Sequence, residues 1–344
     1  MNSMQRVLTT LSHKEPDRVP LFLLTALQGA KELGLSIEDY FSRADYVVEG
    51  QMRLLKKYRS DCLYPFFYVP IEMEAWGGEV IYQSDCPPNA GPPIIHRPED
   101  IDHLQPPRVT DAPCLTRVLD TIRQLKAKVG DSVPIIAVAT SPFSLPVIQM
   151  GFDRYIELIY EQPERLARLM QANEEFCVEW SNAQLAAGAT AICYFDPVSS
   201  CTVVPRELYL KTGQQVAKRT LARINGPIAT HLASGRGLPI VDDIAATGSA
   251  AMGVSALEDL AALKASAQGK ITLLGNLNGV EMRRWTAEQA EMEVKRAIAQ
   301  AGRGGGFILS DNHGEIPWQV PDEVLLAIGD AVERWGRYPL DWIE

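Results

Sequence analysis

The 344 residues are 46% hydrophobic and 22% charged, an ordinary globular composition with material for a large core. Lysine and arginine number 33 against 43 acids; a net charge of −10 without a basic cluster argues against nucleic acid or an anionic membrane as partner. No apolar run approaches the ~20 residues of a bilayer span, Met1 to His13 lacks an apolar signal core, and a cytoplasmic protein is expected.

Ser3 to Leu11 has helical spacing and leads through a polar turn into Val19 to Leu24, a continuous apolar run read as the first buried strand. Asp39 to Lys57 is helical. Cys62 to Tyr68 reads as a second strand that delivers Glu72 and Glu74 just past its end, two residues apart and so able to face one way. Val80 to Gln83 suggests a small hairpin, and the proline-rich Pro87 to Pro107 a surface crossing. From Ala112 the pattern turns regular. Helices are expected at Leu115 to Val129, Asp153 to Glu161, Pro163 to Ala187, Pro205 to Ile224, Asp242 to Ala246, Ala256 to Ala265, Thr286 to Ala301 and Asp322 to Trp335. Between them run strands at Pro134 to Ala139, Thr190 to Phe195, Ile228 to His231, Ala250 to Val254, Ile271 to Gly275 and Phe307 to Ser310.

Strands that are apolar throughout are buried on both faces, so the sheet is parallel. Eight such strands alternating with helices point to an α/β fold, a (β/α)8 TIM barrel formed as one domain over residues 1–344. A doubly wound open sheet is the alternative, but it requires a phosphate-binding glycine loop after an early strand. The cluster Gly302-Arg303-Gly304-Gly305-Gly306 precedes the last strand instead and reads as a tight turn. Six cysteines, widely spaced, form neither a metal knuckle nor a redox motif.

In such a barrel the strand ends converge on one mouth, where active sites sit. Polar residues follow six of the strands: Glu72 and Glu74, Ser141, Asp196, His231, Asn276, and Asp311 with His313. Carboxylates and imidazoles gathered at one mouth suit acid–base work or a divalent metal. Each also has a plain structural use: Ser141 as a helix cap, Asp196 before Pro197 as a turn starter, Asn276 on backbone groups.

A series of motifs runs nearly end to end: LSHKEPDRVPLF, PIEMEAWGG, TSPFSLP, YFDPVSS, ATHLASG, LLGNLNG and FILSDNHGEIPWQVPDEVLLAI. With these the chain resembles the uroporphyrinogen decarboxylase superfamily, and within it the corrinoid-dependent methyltransferases of O-demethylase type. The resemblance implies the (β/α)8 barrel reached above from the strand count. Two departures choose the branch. The decarboxylases carry an arginine-rich loop after the first strand that binds substrate carboxylates; here Thr25 to Lys31 contains no arginine. The aspartate those enzymes place near the second strand's end is missing from Tyr64 to Val69. Thiol methyltransferases of the superfamily bind zinc through His-x-Cys and a later cysteine. Here the first motif is His231-Leu232-Ala233 and the later position falls near Gly314, so both cysteines are absent.

The expected function is therefore methyl transfer between a small methylated substrate, methoxy-aromatic among the options, and a methylcobamide carried by a separate corrinoid protein. On this reading His231, Asp196 and Glu74 are catalytic, and Glu72, Ser141, Phe143 and Asn276 bind substrate. Zinc is an option through His231 and His313, with Asp311, Glu315, Glu72 and Glu74 as harder donors nearby. An aromatic rim of Tyr64, Phe66, Phe67, Tyr68, Trp76, Phe143, Tyr194 and Phe195 suits an apolar substrate. The alternatives are decarboxylase or lyase chemistry on a small carboxylic acid, and a non-catalytic corrinoid-binding barrel.

Overall fold

The computed structural model describes residues 1–343. Seven strands form its main sheet: β1 Leu21–Phe22, β2 Ile136–Thr140, β3 Ala191–Phe195, β4 Ile228–His231, β5 Ala251–Gly253, β6 Thr272–Leu277 and β7 Phe307–Asp311. All neighbours are parallel, in the order β1-β7-β6-β5-β4-β3-β2. Seven strands leave a gap between β1 and β2, and an irregular segment fills it. Asp61 N donates to Leu21 O (2.6 Å), Leu63 N to Pro134 O (2.9 Å) and Ile136 N to Leu63 O (2.9 Å). The sheet thereby curls into an α/β barrel, as the alternation of runs requires.

The second strand expected over Cys62 to Tyr68 is thus corrected to an extended segment with one parallel bridge, Leu63 to Ile135. Pro65 supplies no N–H, so the ladder stops there. Glu72 and Glu74 do not follow a strand either. They sit on the short helix Ile71–Ala75, where two residues span about 200° of rotation, so the carboxyls point to different sides.

The helices Ser3–Leu11, Pro163–Ala187 and Asp322–Trp335 run as the periodicity predicts. Asp39 to Lys57 instead breaks at Arg43, whose backbone is extended (φ −138°, ψ 137°), giving Ile37–Ser42 and Ala44–Tyr58. Pro205 to Ile224 also breaks, at Thr212 (φ −124°, ψ −88°), giving Arg206–Lys211 and Gly213–Leu221. The expected hairpin is present as Val80–Ile81 against Asn89–Ala90. The glycine cluster makes the expected turn, with Gly304, Gly305 and Gly306 all at positive φ (77°, 67° and 63°).

The barrel interior is apolar and closed from below. Val7 and Leu11 of the first helix pack under Phe22, Leu24, Leu274 and Ile308. Small residues on the inner walls, among them Ala191, Ala229 and Ala251, leave a cavity of about 60 Å³ there. The six cysteines are free. No helix among the described residues is long and apolar enough to cross a membrane.

Candidate active site

The strand ends do meet at one mouth. Asp196 N donates to His231 O (2.8 Å), Ser141 N to Phe195 O (2.9 Å) and Asn312 N to Leu277 O (3.0 Å), stitching successive strand ends together. Two cavities open there, of about 240 and 110 Å³, and they share Val69, Thr140 and Phe195. The larger runs along Ser144, Val147, Ile148, Phe152, Pro197 and Val203. The smaller is walled by Tyr64, Phe66 and Phe195, with His313, Gly314 and Glu315 from the loop after β7. No lysine or arginine lines either one.

His231 lies one layer beneath this space. It is fully buried, its ring stacked under Phe195 (6.0 Å between centroids, 27°). Gly253 makes room for it, since a Cβ there would stand 2.5 Å from His231 Cδ2. The backbone N–H of Ala233 donates to Nδ1 (3.0 Å), which puts the ring proton on Nε2, and Nε2 has no partner. Burial, with the nearby His313 adding to it, lowers its pKa to about 4. The histidine expected to be catalytic is therefore a neutral imidazole at neutral pH, offering an N–H rather than a transferable proton.

The other expected residues divide by what they touch. Asp196 is buried and accepts from Ser141 Oγ (2.5 Å) and Ser144 Oγ (2.8 Å), while Ser144 Oγ accepts from Val198 N (3.1 Å). This clamp ties the end of β2 to the end of β3. Desolvation raises the Asp196 pKa against the serine bonds that lower it. Glu72 accepts from Thr140 N (2.8 Å) in a buried pocket, which pushes its pKa up to about 8. Glu74 accepts from Tyr68 Oη (2.7 Å), and Asn276 Nδ2 donates to Ser255 O (3.1 Å). Phe143 is wholly buried against Tyr155 and reaches neither cavity, so its substrate-binding role is corrected to a core one. Of the ionisable residues singled out in the sequence, His313 and the spare metal donor Glu315 line the smaller cavity; His231, Asp196, Glu72, Glu74 and Asp311 do not.

The residues that sequence reasoning passed over are Glu315, which it kept only as a spare metal donor, Asn312 and Ser144. Glu315 lines the smaller cavity, its Oε1 buried without a partner. Burial, then the neighbouring Asp311, raises its pKa to about 8. Asp311 is itself raised to about 6 by burial, although it accepts from Leu24 N (3.3 Å) and His313 N (3.2 Å). With its amide turned to satisfy both ends, Asn312 donates to His313 Nδ1 (2.7 Å) and accepts from Ala256 N (3.2 Å). His313 thus also carries its proton on Nε2. The doubled serine of Ser141-Pro-Phe-Ser144 was a readable signal for the clamp; nothing in the sequence ranked Glu315 above its neighbours.

Zinc does not fit this arrangement. Both imidazoles have Nδ1 engaged, Phe195 and Gly314 lie between His231 and the cavity, and a site needs three or four donors at ~2.0–2.3 Å. Among the described residues no three His, Cys, Asp or Glu side chains converge to hold a metal ion.

A parallel α/β barrel whose strand ends gather buried acids and imidazoles around an apolar mouth defines an enzyme scaffold of the TIM-barrel type. The sequence model of the uroporphyrinogen decarboxylase (URO-D) family matches residues 2–335, and the chain belongs to that family. Among curated proteins it is 24% identical to the uroporphyrinogen decarboxylase of Idiomarina loihiensis, over 96% of this chain and 95% of that one. It is 26% identical to that of Alkalilimnicola ehrlichii, over 96% and 93%. Among solved structures, a methyltransferase from Methanosarcina mazei shares the fold with a TM-score of 0.85 at 19% identity, covering 97% of this chain and 99% of that one.

Proposed function

We propose that this protein is a methyltransferase of a corrinoid system, taking a methyl group from a small methylated substrate without anionic groups. The observation that carries the reading is the mouth: two adjoining cavities, apolar in the larger and aromatic in the smaller, with no lysine or arginine on either wall. A porphyrinogen with its many carboxylates needs charge-assisted partners, which arginine supplies best. Where an arginine loop would stand, Gln28 opens the helix Gln28–Leu33 and points inward, its Nε2 donating to Ile316 O (2.9 Å) and Pro317 O (3.2 Å). That segment is packed against the loop after β7; its Lys31 Nζ donates to Trp318 O, its Glu32 accepts from Lys57 Nζ, and neither lines a mouth cavity.

A reduced corrinoid, when presented by its carrier protein, supplies a nucleophile strong enough to accept a methyl group. The two cavities are too small to enclose a corrin ring, so they fit the methylated substrate alone, with the acceptor approaching from the open side. The chain's own residues orient the substrate, exclude water and meet the charge that changes on the leaving atom. Phe66, Phe195 and Val69 form dry walls. His313 and Glu315 are the titratable groups on those walls; protonated, Glu315 can give its proton to a departing oxygen, and ionised, it can face a cationic substrate. His231 holds the floor from below, its Nδ1 fixing the turn at Ala233.

The decisive experiment supplies purified protein with chemically reduced cobalamin and candidate methyl donors, and follows the cobalt spectrum. Conversion to the methylated form, dependent on protein and donor, is expected. Formation of coproporphyrinogen from uroporphyrinogen at an enzymatic rate would overturn the proposal.

A further inference from the structure

Resting on that reading, we infer that the smaller mouth cavity is a cage for a methylated onium group, a quaternary ammonium or tertiary sulfonium, with aromatic rings as its walls and Glu315 as its counter-charge. Three observations meet there. Tyr64, Phe66 and Phe195 line one compact space of about 110 Å³. Tyr64 and Phe66 lie 5.4 Å apart at 33°, and Tyr64 Oη donates to Gly314 O (2.9 Å), which pins this pair to the loop that carries Glu315. Glu315 Oε1 is buried and has no partner, whereas Asp311 behind it is already committed to two backbone amides.

Aromatic faces attract a cation through their quadrupole, and more strongly once water is excluded. A buried carboxyl without a partner is costly to ionise, and a positive ligand removes that cost. The absence of lysine and arginine leaves the place of a cation open to a ligand. A neutral methyl ether would find only the acid and His313 to address its oxygen, and would draw little from the rings beyond contact. The onium also simplifies the reaction. The carbon–nitrogen or carbon–sulfur bond breaks with its pair staying on the heteroatom, which leaves as a neutral amine or thioether. The methyl carbon bonds to the electron pair of the reduced corrinoid, which is oxidised by two electrons, and no proton is needed.

Binding, read by calorimetry without any corrinoid, tests the cage separately from turnover. The probes are choline and 3,3-dimethylbutan-1-ol, which have the same shape but differ in charge. Wild type is expected to prefer choline by about tenfold or more, the range that one desolvated cation–π and ionic contact supports. Glu315→Gln should lose that preference while keeping its melting temperature and its hold on the alcohol. Phe66→Leu should weaken choline more than the alcohol. Equal binding of the two probes, no binding of choline, or an undiminished preference in Glu315→Gln would overturn the cage. A retained preference with no methyl transfer to reduced cobalamin would support the cage and remove the methyl-transfer reading alone.

Discussion

Glu72 and His231 are buried at opposite ends of the charge scale, and their titration should pull stability in opposite directions. The Glu72 carboxyl rises to about 8 in the fold from an ordinary 4.5, so between those values the native chain holds a proton that the unfolded chain has released. Stability from this group therefore falls as pH rises from 4.5 toward 8, at up to about 1.4 kcal/mol per unit. His231 falls to about 4 from 6.5, so the unfolded chain takes up its proton first and stability falls as pH drops through that window. Glu72→Gln keeps an acceptor for Thr140 N and should flatten the alkaline decline; His231→Gln should flatten the acid one. Urea midpoints measured from pH 4 to 8.5 check both, and a decline unchanged in its own variant would contradict the assignment. At this scale the sequence was partly legible. It placed His231 and Asp196 at neighbouring strand tips because a polar residue ending an apolar run is conspicuous. It could not tell that Phe195 roofs the histidine, or that Glu315 keeps a free oxygen, because both depend on where a loop folds back.

Among the elements, the segment that stands in for the second barrel strand depends on one side chain. Asp61 accepts from Arg6 Nη1 (2.6 Å) and Ser3 Oγ (3.0 Å) on one oxygen and from Arg18 Nη1 (2.7 Å) and Leu21 N (2.8 Å) on the other. It joins the first helix, β1 and the closing segment at the barrel's lower end, nearly sealed from water at 1% exposure. Removing a partner from a buried ion pair leaves a charge uncompensated, typically at a cost of 3–5 kcal/mol. Asp61→Ala should lower unfolding stability by about that amount, whereas Asp120→Ala, whose pair with Arg123 is exposed, should change it by about 0–1 kcal/mol. Chemical denaturation compares them; similar small losses would show that the network does not close the barrel. The strands from Pro134 onward were readable since each is an apolar run between polar turns. The run from Cys62 looked equally apolar, yet pairing needs backbone donors, and its internal Pro65 ends the supply. Helix breaks at Arg43 and Thr212 were hidden for a related reason: both sit inside good helical periodicity, and tertiary packing overrode propensity.

Over the whole molecule, the balance of −10 and a mouth without lysine or arginine work together. A field of this sign repels polycarboxylates and raises the local concentration of cations, an effect that salt screens over about 8–10 Å. Choline affinity should accordingly weaken with added salt while that of its neutral analogue stays level. The barrel itself was the most legible feature, since eight apolar runs alternating with helices admit few topologies. In the sequence, the preference for methyl transfer over decarboxylation rests on two absences, the arginine loop at Thr25 to Lys31 and the aspartate expected in Tyr64 to Val69. The most direct test of the account runs both reactions side by side, following the cobalt spectrum of reduced cobalamin with a methylated onium donor and the conversion of uroporphyrinogen. Protein-dependent methylation of cobalt, reduced at least about tenfold in Glu315→Gln and with no porphyrinogen consumed, is the predicted result. Porphyrinogen turnover without cobalt methylation would contradict it.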